Sequence, residues 1–129
     1  MTPDPSTTVS DEGLVHLSLP ATPRYLAAAR VVATSLGAES GLTVDDLDDL
    51  RLGVNELVSA LVESSAAGER VELEFEVQGN RVTVRGRRAG GDPRPIELDE
   101  LTTRIVEAVA DEHSIDGSSF TIGKASSIP

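Results

Sequence analysis

The sequence contains no cysteine and no tryptophan. Without thiols, disulfides, thiolate zinc sites and cysteine nucleophiles are excluded, and the chain suits a reducing compartment. Its aromatic residues are only Tyr25, Phe75 and Phe120. The core must therefore be built from Leu, Val, Ile and Ala, and there is no platform on which nucleic-acid bases could stack. Lys124 is the single lysine, and the formal net charge is -11. Such a surface repels phosphate backbones and anionic headgroups and favours basic protein surfaces, so no nucleic-acid and no membrane partner is expected. No window approaches the ~20 apolar residues that span a bilayer. The opening "MTPDPSTTVSDEG" has neither the basic nor the apolar segment of a signal peptide, and the expectation is a cytoplasmic protein.

What is present fits one domain of 129 residues, large enough to bury roughly two thirds of the surface its unfolded form exposes. Residues 1–13, rich in Pro, Thr, Ser and acids, are expected to form a disordered tail, with the domain over 14–124 and a short C-terminal tail over 125–129. "LVHLSLP" alternates with the period of a half-buried strand, closed by Pro20. Thr22 and Pro23 then open a helix with Leu26, Ala29, Ala33 and Leu36 on its inner face, and Gly37 offers a stop.

Thr43 and Asp46 make a capping-box pair before a second helix, in which Leu47, Leu50, Val54, Leu57, Val58 and Leu61 recur at helical spacing. "ERVELEFEVQGNRVTVRGRR" alternates twice around a short turn, which is a hairpin. After the loop "AGGDPRP", the stretch "IELDELTTRIVEAVADEH" is expected to be helical, with Leu101, Ile105, Ala108 and Val109 inward. A second hairpin turns at Asp116-Gly117. The expected fold class is α+β: a two-layer sandwich of an antiparallel or mixed sheet with three helices on one face.

Few residues offer chemistry. His16 and His113 have no second imidazole or thiol nearby, so neither makes a metal site, and both are expected to be surface residues. "DDLDD", Asp45 to Asp49, lacks the oxygen spacing and glycine of a calcium loop and suits a helix start. No serine lies in a nucleophile elbow. The dense basic run Arg85 to Arg88, followed by Gly90 and Gly91, could cradle an anion, although a solvated strand end is the commoner fate. One feature stands out: Glu56, a lone acid in the apolar helical run "NELVSALVES".

The order of elements, with "DDLRLGVNELVSALVES" before a hairpin, a Gly-rich loop, "RIVEAVADEHSI" and "DGSSFTI", resembles the anti-sigma-factor serine kinases of the RsbW type. These belong to the GHKL, or histidine-kinase-like, ATPase superfamily, and the resemblance spans about residues 14–124. It implies an ATP site with magnesium. In that family a helix carries Glu-x-x-x-Asn, where the acid acts as base or orients water and the Asn holds the metal. Glu56 matches the acid, but Ala60 stands where the Asn is expected, and a methyl group ligates no cation. Asn55 lies ~140° around the helix from position 60 and does not replace it.

A second family motif, Asp-x-Gly-x-Gly, supplies the acceptor for the adenine amino group. Here it aligns with Gly86, Arg88 and Gly90, followed by Gly91, Asp92 and Pro93, so the acceptor is missing. The lid of the family is shortened to "DPRPIELDE" and its Gly-x-Gly is replaced around Glu100 to Thr102, while Gly117 with Ser118 resembles the small-residue turn before the final strand. Each lost partner costs ~1–3 kcal/mol, so two losses weaken nucleotide binding by roughly 30- to 10,000-fold.

The expectation is thus a degenerate anti-sigma-factor-like regulatory protein of bacterial transcription control that works by protein–protein binding. No cofactor and no metal is expected, and the partner implied is a sigma factor or an anti-sigma-factor antagonist, with a homodimer possible. Glu56 would then be a remnant, or a structural acid pairing Arg51 or Arg104. The alternative is an active ATP-dependent serine kinase that phosphorylates an antagonist protein. There Glu56 would be catalytic, ATP and magnesium the cofactors, and Gly90, Asp92 and Gly117 the residues against the nucleotide. A domain of this fold with an unrelated partner is the third possibility.

Overall fold

The structure, a computed structural model, describes residues 13–128. The expected N-terminal tail lies outside the described residues except for Gly13. Five strands form one sheet in the order β1-β2-β3-β5-β4, where β1 is Leu14–Pro20, β2 Arg70–Gln78, β3 Arg81–Arg88, β4 Glu112–Asp116 and β5 Ser119–Ala125. Every neighbouring pair is antiparallel, which resolves the open choice between an antiparallel and a mixed sheet. Three helices, α1 (Leu26–Glu39), α2 (Val44–Glu63) and α3 (Glu100–Val109), cover one face.

The sheet owes its two-sided character to strand alternation. On β2, Val71, Leu73 and Phe75 are buried while Glu72, Glu74 and Glu76 face outward. Opposite them, Arg85 reaches Glu74 and Glu76 and Arg87 reaches Glu72, so the outer face is a ladder of opposite charges. His16 lies on this face beside Glu74, and His113 is exposed on β4. Both hairpins turn in two residues, Gly79-Asn80 and Gly117-Ser118.

α2 is the central helix. Leu50, Val54, Leu57, Val58 and Leu61 are all buried, as their spacing requires. Its start is the expected capping box: Asp46 N–H donates to Thr43 Oγ1 at 3.1 Å and Thr43 N–H donates to Asp46 Oδ2 at 3.0 Å. Gly53 lets the helix sit close on β5, because a Cβ there would stand 2.4 Å from Ile122 Cδ1. Lys124, on the same side of β5, donates to Asp49 of α2 and to the Val109 carbonyl at the end of α3.

Four expectations are corrected by packing. Pro23–Tyr25 forms a 3-10 turn, and Thr22 makes no side-chain cap to it. Gly37 does not stop α1, which runs to Glu39; the glycine is buried where a Cβ would meet Leu47 and Leu42. The last helix starts only at Glu100, because the Asp99 carboxylate caps the Thr102 N–H at 2.7 Å, and it ends before Asp111. Its buried residues are Val106 and Val109, whereas Leu101 is 68% exposed and Ala108 also faces out. Finally, the 125–129 stretch expected as a tail begins inside β5, and Ser127 donates through N–H and Oγ to Asp46 Oδ2 at 2.9 and 3.1 Å.

Candidate functional site

The singled-out residues lie on α2, on β3, on the segment that follows it and at the β4–β5 turn. Glu56 stands on α2 and accepts from the Thr102 hydroxyl of α3 at 3.3 Å. The expected pairing with Arg51 or Arg104 does not occur, since Arg51 pairs with Asp48 and Arg104 with Glu100, each within its own helix. Ala60, one turn on from Glu56, is buried in the core. Asn55 faces the other way: its Oδ1 accepts from Arg30 of α1 at 2.7 Å, which keeps it away from position 60.

Strand β3 contributes the opposite wall. Alternation places Val82, Val84, Gly86 and Arg88 on the inner face and Arg85 and Arg87 on the outer one. Gly86 lies against Phe120, its register partner on β5, so closely that a Cβ would stand 2.3 Å from Cε2 and 3.0 Å from Leu73 Cδ2. An aspartate side chain has no room there while the ring keeps its place. Two residues on, Arg88 is 1% exposed, and its Nη2 donates to the Arg94 carbonyl. The basic run thus splits: Arg85 and Arg87 become solvated ladder residues, and Arg88 goes inside.

Residues 89–99 form a strap without helix or strand. It leaves β3 at Gly90 and Gly91, whose φ values of 87° and 73° lie in the left-handed region that glycine tolerates. Asp92 does not face an open cleft. Its carboxylate accepts from the Arg94 backbone N–H and side chain, and these bonds bring its pKa down to about 2. Arg94 also reaches Glu69, whose pKa is lowered mainly by the Ala66 N–H and further by Arg94. The strap then docks through Ile96, buried at 5% exposure, whose N–H donates to the Gly117 carbonyl at 2.9 Å. Gly90, Asp92 and Gly117 are therefore parts of one strap and its anchor.

Sequence reasoning missed three residues of this region. Thr102 had no motif to mark it. Phe120 was read only as an aromatic of the core. The burial of Arg88 could have been found, because strand period places it on the face of Val82 and Val84.

Residue 60 presents a methyl group, the ring of Phe120 lies over residue 86, and residue 88 presents a guanidinium donor. Two surface hollows are present, the first of them reaching Gly86 and Phe120 from the other side of the sheet. One of about 300 Å³ is on the outer face of the sheet by His16, Arg85 and Thr121, and one of about 540 Å³ is between α1 and α2 by Arg30, Asp49 and Asn55. Among the described residues, no three His, Asp or Glu side chains converge on a point that could hold a metal ion, and no helix is long and apolar enough to cross a membrane.

Comparison with known proteins agrees with the architecture. No curated protein matches the chain in sequence. The fold is similar to a solved structure of the RsbU and RsbW domains of Rv1364c from Mycobacterium tuberculosis, with a TM-score of 0.59 and 20% identity. That match covers 88% of this chain and 32% of the other, so the chain spans about a third of that structure's length. The model of the histidine kinase-like ATPase domain matches residues 19–118. With most of its length matched by that model and its sheet-and-helix architecture shared, the chain belongs to the histidine-kinase-like ATPase domain family.

Proposed function

We propose that this chain is a regulatory protein of the anti-sigma-factor type that acts by holding a protein partner and does not transfer phosphate. The observation that carries the reading is the Gly86–Phe120 contact, which leaves no room for a side chain at residue 86, where the resemblance implies an adenine acceptor. Ala60 supports it, since a methyl group supplies no ligand for magnesium. The partner is a sigma factor or an antagonist protein of bacterial transcription control. The acidic surface, formal charge -11, suits a basic patch on that partner and speeds encounter with it. A homodimer and a cytoplasmic location fit this role.

The retained Glu56 favours a second reading, an ATP-dependent serine kinase with Glu56 as base. Its carboxylate is engaged only by the Thr102 hydroxyl among the described residues and so keeps acceptor capacity. Melting the protein with and without millimolar ATP and magnesium separates the two. Saturation at a hundred times Kd stabilises by about 2.7 kcal/mol, a rise of several degrees or more. The binding reading expects no rise. A rise accompanied by transfer of phosphate to serine that Glu56→Gln abolishes establishes the kinase instead. Pull-down with sigma factors and antagonist proteins tests the partner class.

A further inference from the structure

Arg88 is the largest side chain that the fold buries completely. Its Nε and Nη1, which together carry more than half of the guanidinium's N–H groups, have no acceptor among the described residues. The single bond it makes is to the Arg94 carbonyl, on the strap. Asp92 feels the charge of Arg88 but gives its hydrogen bonds to Arg94, and Glu69 is held by Arg94 and the Ala66 N–H. A buried lysine could shed its proton under such conditions, but an arginine stays charged. Buried N–H groups without an acceptor are unfavourable, and a guanidinium with open N–H groups is matched best by the paired oxygens of a carboxylate or phosphate.

We infer that the space beside Arg88, between the inner face of β3 and the strap of residues 89–99, is a binding site for a small oxyanion bearing a carboxylate or phosphate group. The family resemblance implies an acceptor for adenine at Gly86, two residues away. Here the neighbouring inward position carries a donor, so the hydrogen-bond character of this end of the cleft is inverted and it selects acceptors. The strap is the entrance. It has no strand partner, it begins at two exposed glycines with open space around their Cα atoms, and it is held over the site by the Arg88–Arg94 and Ile96–Gly117 bonds. The inference uses Arg88 alone and stands or falls separately from the partner-binding function above.

The test is an arginine Nε–Hε NMR titration of the full chain with sodium phosphate and, separately, sodium acetate, against sodium chloride at equal ionic strength. The Arg88 signal is assigned by its loss in Arg88→Met. A saturable shift of that signal with phosphate or acetate is expected. It should come with a rise in Tm on the order of 10 °C at a hundredfold excess over Kd, absent from Arg88→Met. Should Arg88→Met not fold, Arg88→Lys, which keeps the charge and loses the fork, should bind about tenfold more weakly. The inference is overturned if neither anion moves the Arg88 signal at tens of millimolar. It is overturned equally if the Tm rise survives in Arg88→Met. Competition by magnesium ATP against phosphate would leave the oxyanion site standing and overturn the nucleotide-free reading of the protein.

Discussion

The Cα of Gly86 faces the ring of Phe120 across the β3–β5 pair, and a Cβ at residue 86 would come within 2.3 Å of Cε2 and 2.5 Å of Cζ. The ring is nearly fully buried, and Leu73, the register partner of Gly86 on β2, closes the other side of the glycine. Gly86→Ala should therefore destabilise by about 1–3 kcal/mol, as overpacked cores do. Gly86→Asp should be worse, because it also buries a carboxylate. Urea denaturation of both variants checks the order. Adding Phe120→Ala to Gly86→Ala should cost less than the sum of the two single changes, since one substitution makes room for the other.

Gly53 and Ile122 make the same kind of contact where α2 sits on β5. A Cβ at residue 53 would stand 2.4 Å from Ile122 Cδ1 and 3.3 Å from Val109 Cγ2. Gly53→Ala should cost about 1–3 kcal/mol despite the higher helix propensity of alanine. Ile122→Val removes the offending methyl and alone costs ~0.5–1.5 kcal/mol. A double-mutant cycle by chemical denaturation should show favourable coupling between them; strict additivity would mean that α2 is seated differently.

Asp46 ties the start of α2 to the chain after β5, accepting from Thr43 and Ser127 while only 3% exposed. Chiefly the Ser127 backbone N–H, against an opposing effect of burial and helped by Thr43, lowers its pKa from the ordinary 3.8 to about 2. A carboxyl that is more acidic folded than unfolded stabilises the fold in its ionised form. The contribution, ~2 kcal/mol, is whole above about pH 4 and is lost as the pH falls through about 2. Stability measured by urea melts between pH 6 and pH 2 should decline in that window, and Asp46→Asn should remove this part of the decline while lowering stability at neutral pH.

Ile96 anchors the strap. Its side chain is buried and its N–H bonds the Gly117 carbonyl. Ile96→Ala should destabilise the protein by about 2–4 kcal/mol if the strap opens only with global unfolding. A smaller loss, with hydrogen exchange quickened only over residues 89–99, is the outcome if the strap opens on its own, as anion entry beside Arg88 requires.

How far the sequence reached depended on the range of the interaction involved. Strand alternation, the Thr43–Asp46 capping box and the inward spacing of α2 are properties of neighbouring residues, and all were legible from them. The start of α3 was not, because Asp99 outcompetes the apolar periodicity that begins at Ile96, and Ile96 is drawn to the Gly117 turn. Nor were the partners of Glu56, the ring over Gly86 and the isolation of Arg88. Each depends on which residues, 46, 34 or 6 positions apart, the fold sets side by side. By itself, the sequence determined the elements and the family that their order resembles. Only the tertiary structure decided what surrounds Glu56, Gly86 and Arg88, because burial and the pairing of charge are settled by contacts between elements that no local pattern encodes.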